Sequence, residues 1–464
     1  MPASVDILVV GGGNAALCAA IEAAGQGCRV CVVEAAPQFY RGGNTRHTRN
    51  CRVSHDAPTE TLSGPYSEDE FYADLMRVTG GETNEVLARS AIARSAELLD
   101  WLPAHGVRFQ TMGGALSLDR TNAFFLGGGR AMLNALYAFA SRQGVQVLYE
   151  HEVVDLEVRD GRFISAHVRW PEGERQITAS VLVAASGGFE SNLEWLSEYW
   201  GDAVDNFVIR GTPHNRGTVL RLLTERGASA VGDPRQCHAI AVDARAPRFD
   251  GGIVTRLDCI PFGVVVNRDA RRFYDEGELF WPQRYAIWGR LVAGQPEQTA
   301  YAIFDARSVL RFMPSLYPPM VAATIGDLAG ALGLDPIQLE ATVRDFNAAV
   351  RDGTFDARVL DDCRTEGLTP PKSHWATRLD QPPFYAYPLR PGITFTYYGL
   401  RVDDQARVQM AGGGASENIF AAGEIMAGNI LTRGYLAGIG MTIGSVFGRL
   451  AGNEAGRNVR ATRH

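Results

Sequence analysis

Gly11-Gly12-Gly13-Asn14-Ala15-Ala16 is a run of small residues of the kind that brings a backbone against phosphate, and Glu34 is an acid about 20 residues further on. Gly11 permits a tight turn, Gly13 lets the main chain approach a pyrophosphate, and Ala16 in the third slot keeps a helix close to its strand. Glu34 is spaced to accept hydrogen bonds from a ribose. The chemistry these types point to is dinucleotide binding. A glycine triplet alone is weak evidence, so the elements around it decide. Asp6-Ile7-Leu8-Val9-Val10 reads as an apolar strand, Leu17 to Ala24 as a helix of small residues, and Arg29 to Val33 as a second strand ending on Glu34. This βαβ order aims a helix N-terminus, with its N–H groups and partial positive charge, at the phosphates.

The 464 residues suffice for two or three domains, and 46% hydrophobic with 21% charged residues is an ordinary globular composition. The net charge of −7 argues against a nucleic-acid binder. Lys372 is the one lysine, so an anion site must be built from Arg, His or backbone amides. The seven cysteines, Cys18, Cys28, Cys31, Cys51, Cys237, Cys259 and Cys363, are odd in number and scattered, which suits a reduced, cytoplasmic protein. Cys28 and Cys31 form a C-x-x-C, but strand positions three apart face opposite ways, so the pair reads as structural. No cysteine pattern for an iron–sulfur cluster and no C-x-x-C-H haem site occurs, and no metal site is expected. No charged leader precedes the apolar start, so no signal peptide is expected, and Leu436 to Leu450 is too short and Gly-rich to span a bilayer.

Later segments extend the nucleotide domain. Arg41-Gly42-Gly43-Asn44-Thr45 is a small-residue loop; Gly127-Gly128-Gly129-Arg130 leads into a helix, Ala131 to Arg142, and a strand, Val145 to Tyr149. His151 to Trp170 alternates around Asp160-Gly161, a hairpin signal. Val181 to Ala185 runs into Ser186-Gly187-Gly188, Ile419 to Glu424 is a further strand closed by Gly and an acid, and a Gly-rich helix from Gly438 to about Gly452 ends the core. From Gln236 to Ala386 the glycine signatures vanish and Pro and aromatic residues are frequent; Asp335 caps a helix over Pro336 to Arg351, with Gly353 beyond it. The expected organisation is an α/β nucleotide-binding domain in two parts, 1–235 and 387–464, interrupted by a capping α+β domain at 236–386.

Taken in order, VVGGGNAAL with Glu34, RGGNT, GGGRAMLNAL, VLVAASGGFESN, VVVNRDARRFYDEG and IFAAGE resemble the fumarate reductase and succinate dehydrogenase flavoprotein family along nearly the whole chain. Within it the chain is most similar to the branch that oxidises tricarballylate, through GGNTRHTRN, CHAIAVDARAP, RFYDEGELFWPQRYAIWGR and GYLAGIGMTIG. The resemblance implies a Rossmann-like FAD-binding domain with an inserted cap. It implies oxidation of tricarballylate to cis-aconitate with hydride transfer to flavin N5, and a separate iron–sulfur or membrane-associated electron acceptor. It places Gly11, Gly13, Asn14, Ala15 and Glu34 on the FAD pyrophosphate and adenosine ribose, and Gly43, Asn44 and Thr45 along the ribityl chain and flavin. Ala185 and Gly187 would flank the pyrophosphate, Gly423 and Glu424 the ribityl or phosphate region, and Gly438 and Ile439 would open a helix aimed at the flavin N1–O2 edge. Asn44 stands about where relatives with covalent flavin carry His, so non-covalent FAD is expected, with His47 as the alternative attachment point.

Desaturation removes a proton beside a carboxylate, which needs cations to accept the developing charge and a group to take the proton. By resemblance His238 is the first substrate ligand, its alternative being a buried structural His. The family's Thr-Glu pair falls on Thr255-Arg256, an acid replaced by a base; that suits a third carboxylate, the alternative being a solvated surface Arg. The family's proton-carrying Arg falls on Phe280, leaving Arg284 and Tyr285 as the candidates for proton transfer. The later His motif corresponds to Thr394-Phe395-Thr396-Tyr397-Tyr398-Gly399, without His, and the last Arg falls on Tyr435, with Arg433 two residues before it. Arg46, His47 and Arg49 cluster after the flavin-facing loop; Arg46 or His47 is expected to touch the substrate, with Arg390 a weaker candidate. Alternatives are a desaturase of a dicarboxylate, a desaturase of a 3-ketosteroid, for which Phe280, Trp281, Tyr285 and Trp288 argue and against which Arg256 argues, and a non-catalytic flavin electron carrier.

Overall fold

The computed structural model describes residues 4–111, 119–251 and 253–463. β1 (Ser4–Val10), α1 (Asn14–Gly25) and β2 (Val30–Glu34) form the βαβ unit, and α2 (Gly128–Arg142) leads into β3 (Gln146–Tyr149). β4 (Glu152–Arg159) and β5 (Arg162–Trp170) are a hairpin whose turn residues Asp160 and Gly161 lie at φ 50° and 73°, the left-handed pair a tight turn needs. β6 (Gly173–Ala184) pairs antiparallel with β5 along its first half and parallel with β1 along its second.

A second layer follows. β7 (Cys237–Asp243), β8 (Val264–Asn267), β9 (Ala300–Asp305) and β10 (Phe384–Thr396) form an antiparallel sheet in the order β7-β10-β9-β8. α3 (Pro336–Ala349), capped by the Asp335 carboxylate accepting from the Ile337 N–H, packs Leu339, Val343 and Phe346 against Val264, Val266 and Ile303 on one face of this sheet. β11 (Arg407–Gln409) and β12 (Ala415–Ala421) then rejoin the first sheet, giving β11-β12-β6-β1-β2-β3, and α4 (Ile439–Thr462) closes its core.

Two expected limits shift. β10 continues past Ala386 to Thr396, and the short strand Val208–Ile209 pairs with its Gly392 and Ile393, so the second layer draws on residues outside 236–386. α4 runs past Gly452 to Thr462, because its glycines serve packing rather than termination. A Cβ at Gly448 would lie 2.5 Å from Ala15 O, and one at Gly452 would lie 2.3 Å from Ala19 O, so α4 rests directly on the backbone of α1.

Register aligns the strand ends. Val10 pairs with Val33 and Ala184, and Ala184 with Ala421. Gly11, Glu34, Ala185 and Ala422 therefore follow side by side at the carboxyl edge of the parallel strands, where open α/β sheets bind ligands. All seven cysteines are buried free thiols, and burial pushes Cys31 up to about 12. Lys372 is buried in the second layer, donating from Nζ to Pro261 O at 2.8 Å and Gly263 O at 2.5 Å; burial draws its pKa down to about 8. Among the described residues, no helix is long and apolar enough to cross a membrane.

Candidate functional site

The carboxyl edge opens into an elongated cleft with about 1560 Å³ of open space. Gly11, Gly13, Asn14, Ala15 and Glu34 line one part of it. Gly43, Asn44, Thr45, Ala185 and Gly187 line the next, and Gly423, Glu424 and Gly438 complete that wall. Ile439 is buried and does not line it, although Gly438 and Gly440 on either side do.

Close approach explains the glycines. Gly11 sits at φ 112°, and a Cβ there would fall 2.3 Å from Ala185 O. A Cβ at Gly12 would fall 2.2 Å from the Glu34 carboxylate. α1 starts from Gly13 with no side-chain cap, its Asn14 N–H donating to Thr45 Oγ1 at 3.1 Å. Glu34 accepts from the Ala36 N–H at 2.9 Å and the Gly42 N–H at 3.3 Å; burial still pushes its carboxyl pKa up. The Asn44 amide donates to Thr394 O at 2.6 Å and to Glu190, which also accepts from Asn215 at 2.6 Å. Glu190 and Glu424 share a hydrogen bond. Burial raises both, and the neighbouring carboxylate raises Glu424 further, so the pair holds a proton.

The other end of the cleft is cationic and aromatic. Arg49, Arg210, Arg256, His238, Tyr285 and Tyr435 line it. A register shift between His238 and Ala239 breaks the β7–β10 ladder, a device that re-aims a side chain. His238 stacks on Tyr435 with ring centres 4.0 Å apart and meets Tyr285 edge-on at 5.3 Å, and neither ring nitrogen has a hydrogen-bond partner. Burial, then Arg210 and Arg256, hold it neutral, well below the usual histidine range. Arg256 pairs with Asp258 at 2.7 Å, and Trp281 Nε1 donates to the other carboxylate oxygen at 2.7 Å. Arg210 donates to Thr394 Oγ1 at 2.8 Å; burial and repulsion from Arg256 draw it down to about 10. Burial raises the Tyr285 phenol, while Arg256, Arg210 and Arg49 pull it back. The Tyr435 hydroxyl accepts the Gly440 N–H at 3.1 Å, so a side chain satisfies the start of α4.

Several expected residues lie elsewhere. Arg284 is turned away: its guanidinium donates to Glu278 at 2.6 Å and to the Tyr274 hydroxyl at 2.6 Å. Arg433 is half-exposed beside Glu82, and Arg390 donates to Asn206 O at 3.0 Å. Thr255 is buried without lining the cleft. Arg46 lies over the Tyr40 ring and turns to Asp250 at 3.5 Å. His47 does line the cleft, but its Nε2 sits 2.6 Å from Asp250, and burial draws its pKa to about 4. Among Phe280, Trp281, Tyr285 and Trp288, Tyr285 alone lines the cleft; Trp288 is core. Arg210 carries no motif and was invisible in the sequence; the pairing of Val208–Ile209 with β10 delivers it.

The family model for the FAD binding domain matches residues 6–441. The chain is 26% identical to the NADH:fumarate oxidoreductase of Klebsiella pneumoniae over 99% of its length, and spans 48% of that relative. The solved open conformation of a flavocytochrome c3 fumarate reductase is similar with a TM-score of 0.76 and 24% identity, over 98% of this chain and 78% of that one. The 3-ketosteroid delta1-dehydrogenase of Sterolibacterium denitrificans is similar with a TM-score of 0.75 and 17% identity, over 98% of this chain and all of that one. The cleft fits the cofactor: side chains are excluded at Gly11 and Gly12, the N-cap of α1 is Gly13 and brings no side chain of its own, and the Ser186 hydroxyl is buried without a partner beside them. The chain belongs to the FAD binding domain family, and its cofactor is FAD.

Proposed function

We propose that the protein is an FAD-dependent oxidoreductase that desaturates a polycarboxylate, converting tricarballylate to cis-aconitate. The observation that carries this reading is the gathering of Arg49, Arg210 and Arg256 around His238, Tyr285 and Tyr435 at one end of the cofactor cleft. A polyanion matches that wall; a ketosteroid calls for an apolar one, and the Trp281 ring N–H is engaged by Asp258, the partner of Arg256.

The glycine-lined part of the cleft, with Glu34, holds FAD non-covalently. Bound FAD supplies a hydride acceptor. Arg210 and Arg256 orient the carboxylate beside the reacting carbon and stabilise the charge that develops as the C–H proton leaves. His238, neutral and unpartnered, hydrogen-bonds that carboxylate. Tyr285 takes the proton at its hydroxyl oxygen once it has released its own proton to solvent: burial opposes that phenolate, and the surrounding guanidiniums favour it. A separate iron–sulfur or membrane-associated protein accepts the electrons; among the described residues, no cluster of three His, Cys, Asp or Glu could hold a metal.

The test is anaerobic mixing of FAD-loaded protein with tricarballylate, succinate, citrate or a 3-ketosteroid while flavin absorbance is followed. Bleaching by tricarballylate supports the reading; bleaching by the steroid alone, or by none of the four, refutes it.

A further inference from the structure

The three arginines at the cationic end are not equivalent. Arg256 is neutralised by Asp258, whose second oxygen is held by Trp281. Arg210 is fixed by Thr394 on β10. The guanidinium of Arg49 has a different neighbour: its Nη1 lies 4.0 Å from Met313 Sδ, a weak acceptor, and among the described residues no carboxylate lies within ion-pairing distance of it. Burial and repulsion from Arg256 draw its pKa down to about 10. Its sequence neighbours Arg46 and His47 are both engaged by Asp250, so they bring no free charge to the cleft. Arg49, Arg210 and Arg256 all line the cleft, and Arg256 lies over the Tyr285 ring, 5.2 Å from its centre.

We propose that Arg49 is the specificity-determining residue of this cleft: it receives the carboxylate that a tricarboxylate carries beyond a dicarboxylate, while Arg210 and Arg256 serve the reacting end. This rests on the polycarboxylate reading above. Asp258 meets the Arg256 charge at one nitrogen, while the buried Arg256 Nε has no partner and remains a donor for the carboxylate at the reacting end. An incoming carboxylate exchanges a thioether contact for a charge-assisted hydrogen bond, which sets the size of the effect.

The test uses FAD-loaded wild-type protein, Arg49→Met and Arg49→Lys. Dissociation constants for tricarballylate, citrate and succinate are read from ligand-induced shifts in thermal unfolding, and kcat and KM from flavin reduction. Arg49→Met should weaken tricarballylate and citrate by about 10- to 100-fold, leave succinate within about twofold, and raise KM more than it lowers kcat. Arg49→Lys should recover part of the loss. Equal weakening of all three ligands, or none, overturns the assignment. If wild-type protein binds tricarboxylates selectively through Arg49 but none of them bleaches the flavin, the proposed reaction fails while the role of Arg49 stands.

Discussion

Replacing Gly448 by alanine tests how α4 positions the N-terminal end of α1, the proposed pyrophosphate site. A Cβ at Gly448 lies 2.5 Å from Ala15 O and 2.9 Å from Cys18 Cβ, whereas ordinary contact begins at 3.4 Å, so the helices must part by about 0.9 Å. Overpacking of this kind costs about 1–3 kcal/mol, offset by about 1 kcal/mol of better helix propensity. Ala15 lines the cleft one residue into α1, so the displacement also moves the helix start away from its anion. That interaction contributes about 0.3–2 kcal/mol, so FAD affinity should fall by up to about 30-fold. Gly452→Ala collides equally, 2.3 Å from Ala19 O, but one turn further from the cleft. It should lose stability with a smaller effect on FAD. Gly330, on the exposed face of the helix Ile325–Leu332, has no atom within 4 Å of its added Cβ, and Gly330→Ala should stabilise by about 0.5–1 kcal/mol. Thermal unfolding and titration of apoprotein with FAD, followed by fluorescence, measure both quantities. The reasoning is refuted if Gly448→Ala unfolds at the wild-type temperature, or if it binds FAD no more weakly than Gly452→Ala.

Three further outcomes are expected. Tyr285→Phe should lower kcat by about 10²–10⁴ with FAD still bound, whereas Arg284→Ala, outside the cleft, should change it by less than about twofold; stopped-flow flavin reduction separates them. His47 is held neutral in the fold, at about 4 against 6.5, so the unfolded chain binds more protons between those values and stability falls as pH drops through them, by up to about 3 kcal/mol; urea unfolding of His47→Asn should show a shallower acid limb. Asp258→Asn strands the buried Arg256 charge and should cost about 3–5 kcal/mol in denaturant unfolding, most of it recovered in an Asp258→Leu, Arg256→Met pair.

Local signals carried the cofactor half of this molecule. Gly11, Gly13 and Glu34 act through neighbours within one βαβ unit, so their spacing along the chain already encodes their spacing in the fold. The cationic end obeys no such rule. Arg49 follows the cofactor loop, Arg210 comes beside a two-residue strand, and Arg256 follows a short turn; β10 and the second layer bring them together. Resemblance placed His238 and Arg256 near the cleft, yet it could not say that Asp258, two residues on, would take the Arg256 charge. Among Arg46, His47 and Arg49, sequence distance to the flavin loop favoured the first two, and the choice was decided by Asp250, some 200 positions away, which draws both aside. The same limit applies to Arg284 and Tyr285: adjacent residues on a short helical turn point apart, one to Glu278 and the other inward.

The solitary lysine gives this protein an unusual reporter. With Nζ of Lys372 closed off by two main-chain oxygens, an acylating reagent finds no exposed side-chain amine in the fold. Followed by mass spectrometry at Lys372 and apart from the α-amine, the acylation in a reagent pulse would therefore record the rate at which the 261–263 and 372 segments come apart, with no engineered label. Slower acylation on adding cofactor or a carboxylic acid would show that ligands at the cleft steady a region distant in sequence from the glycine loop.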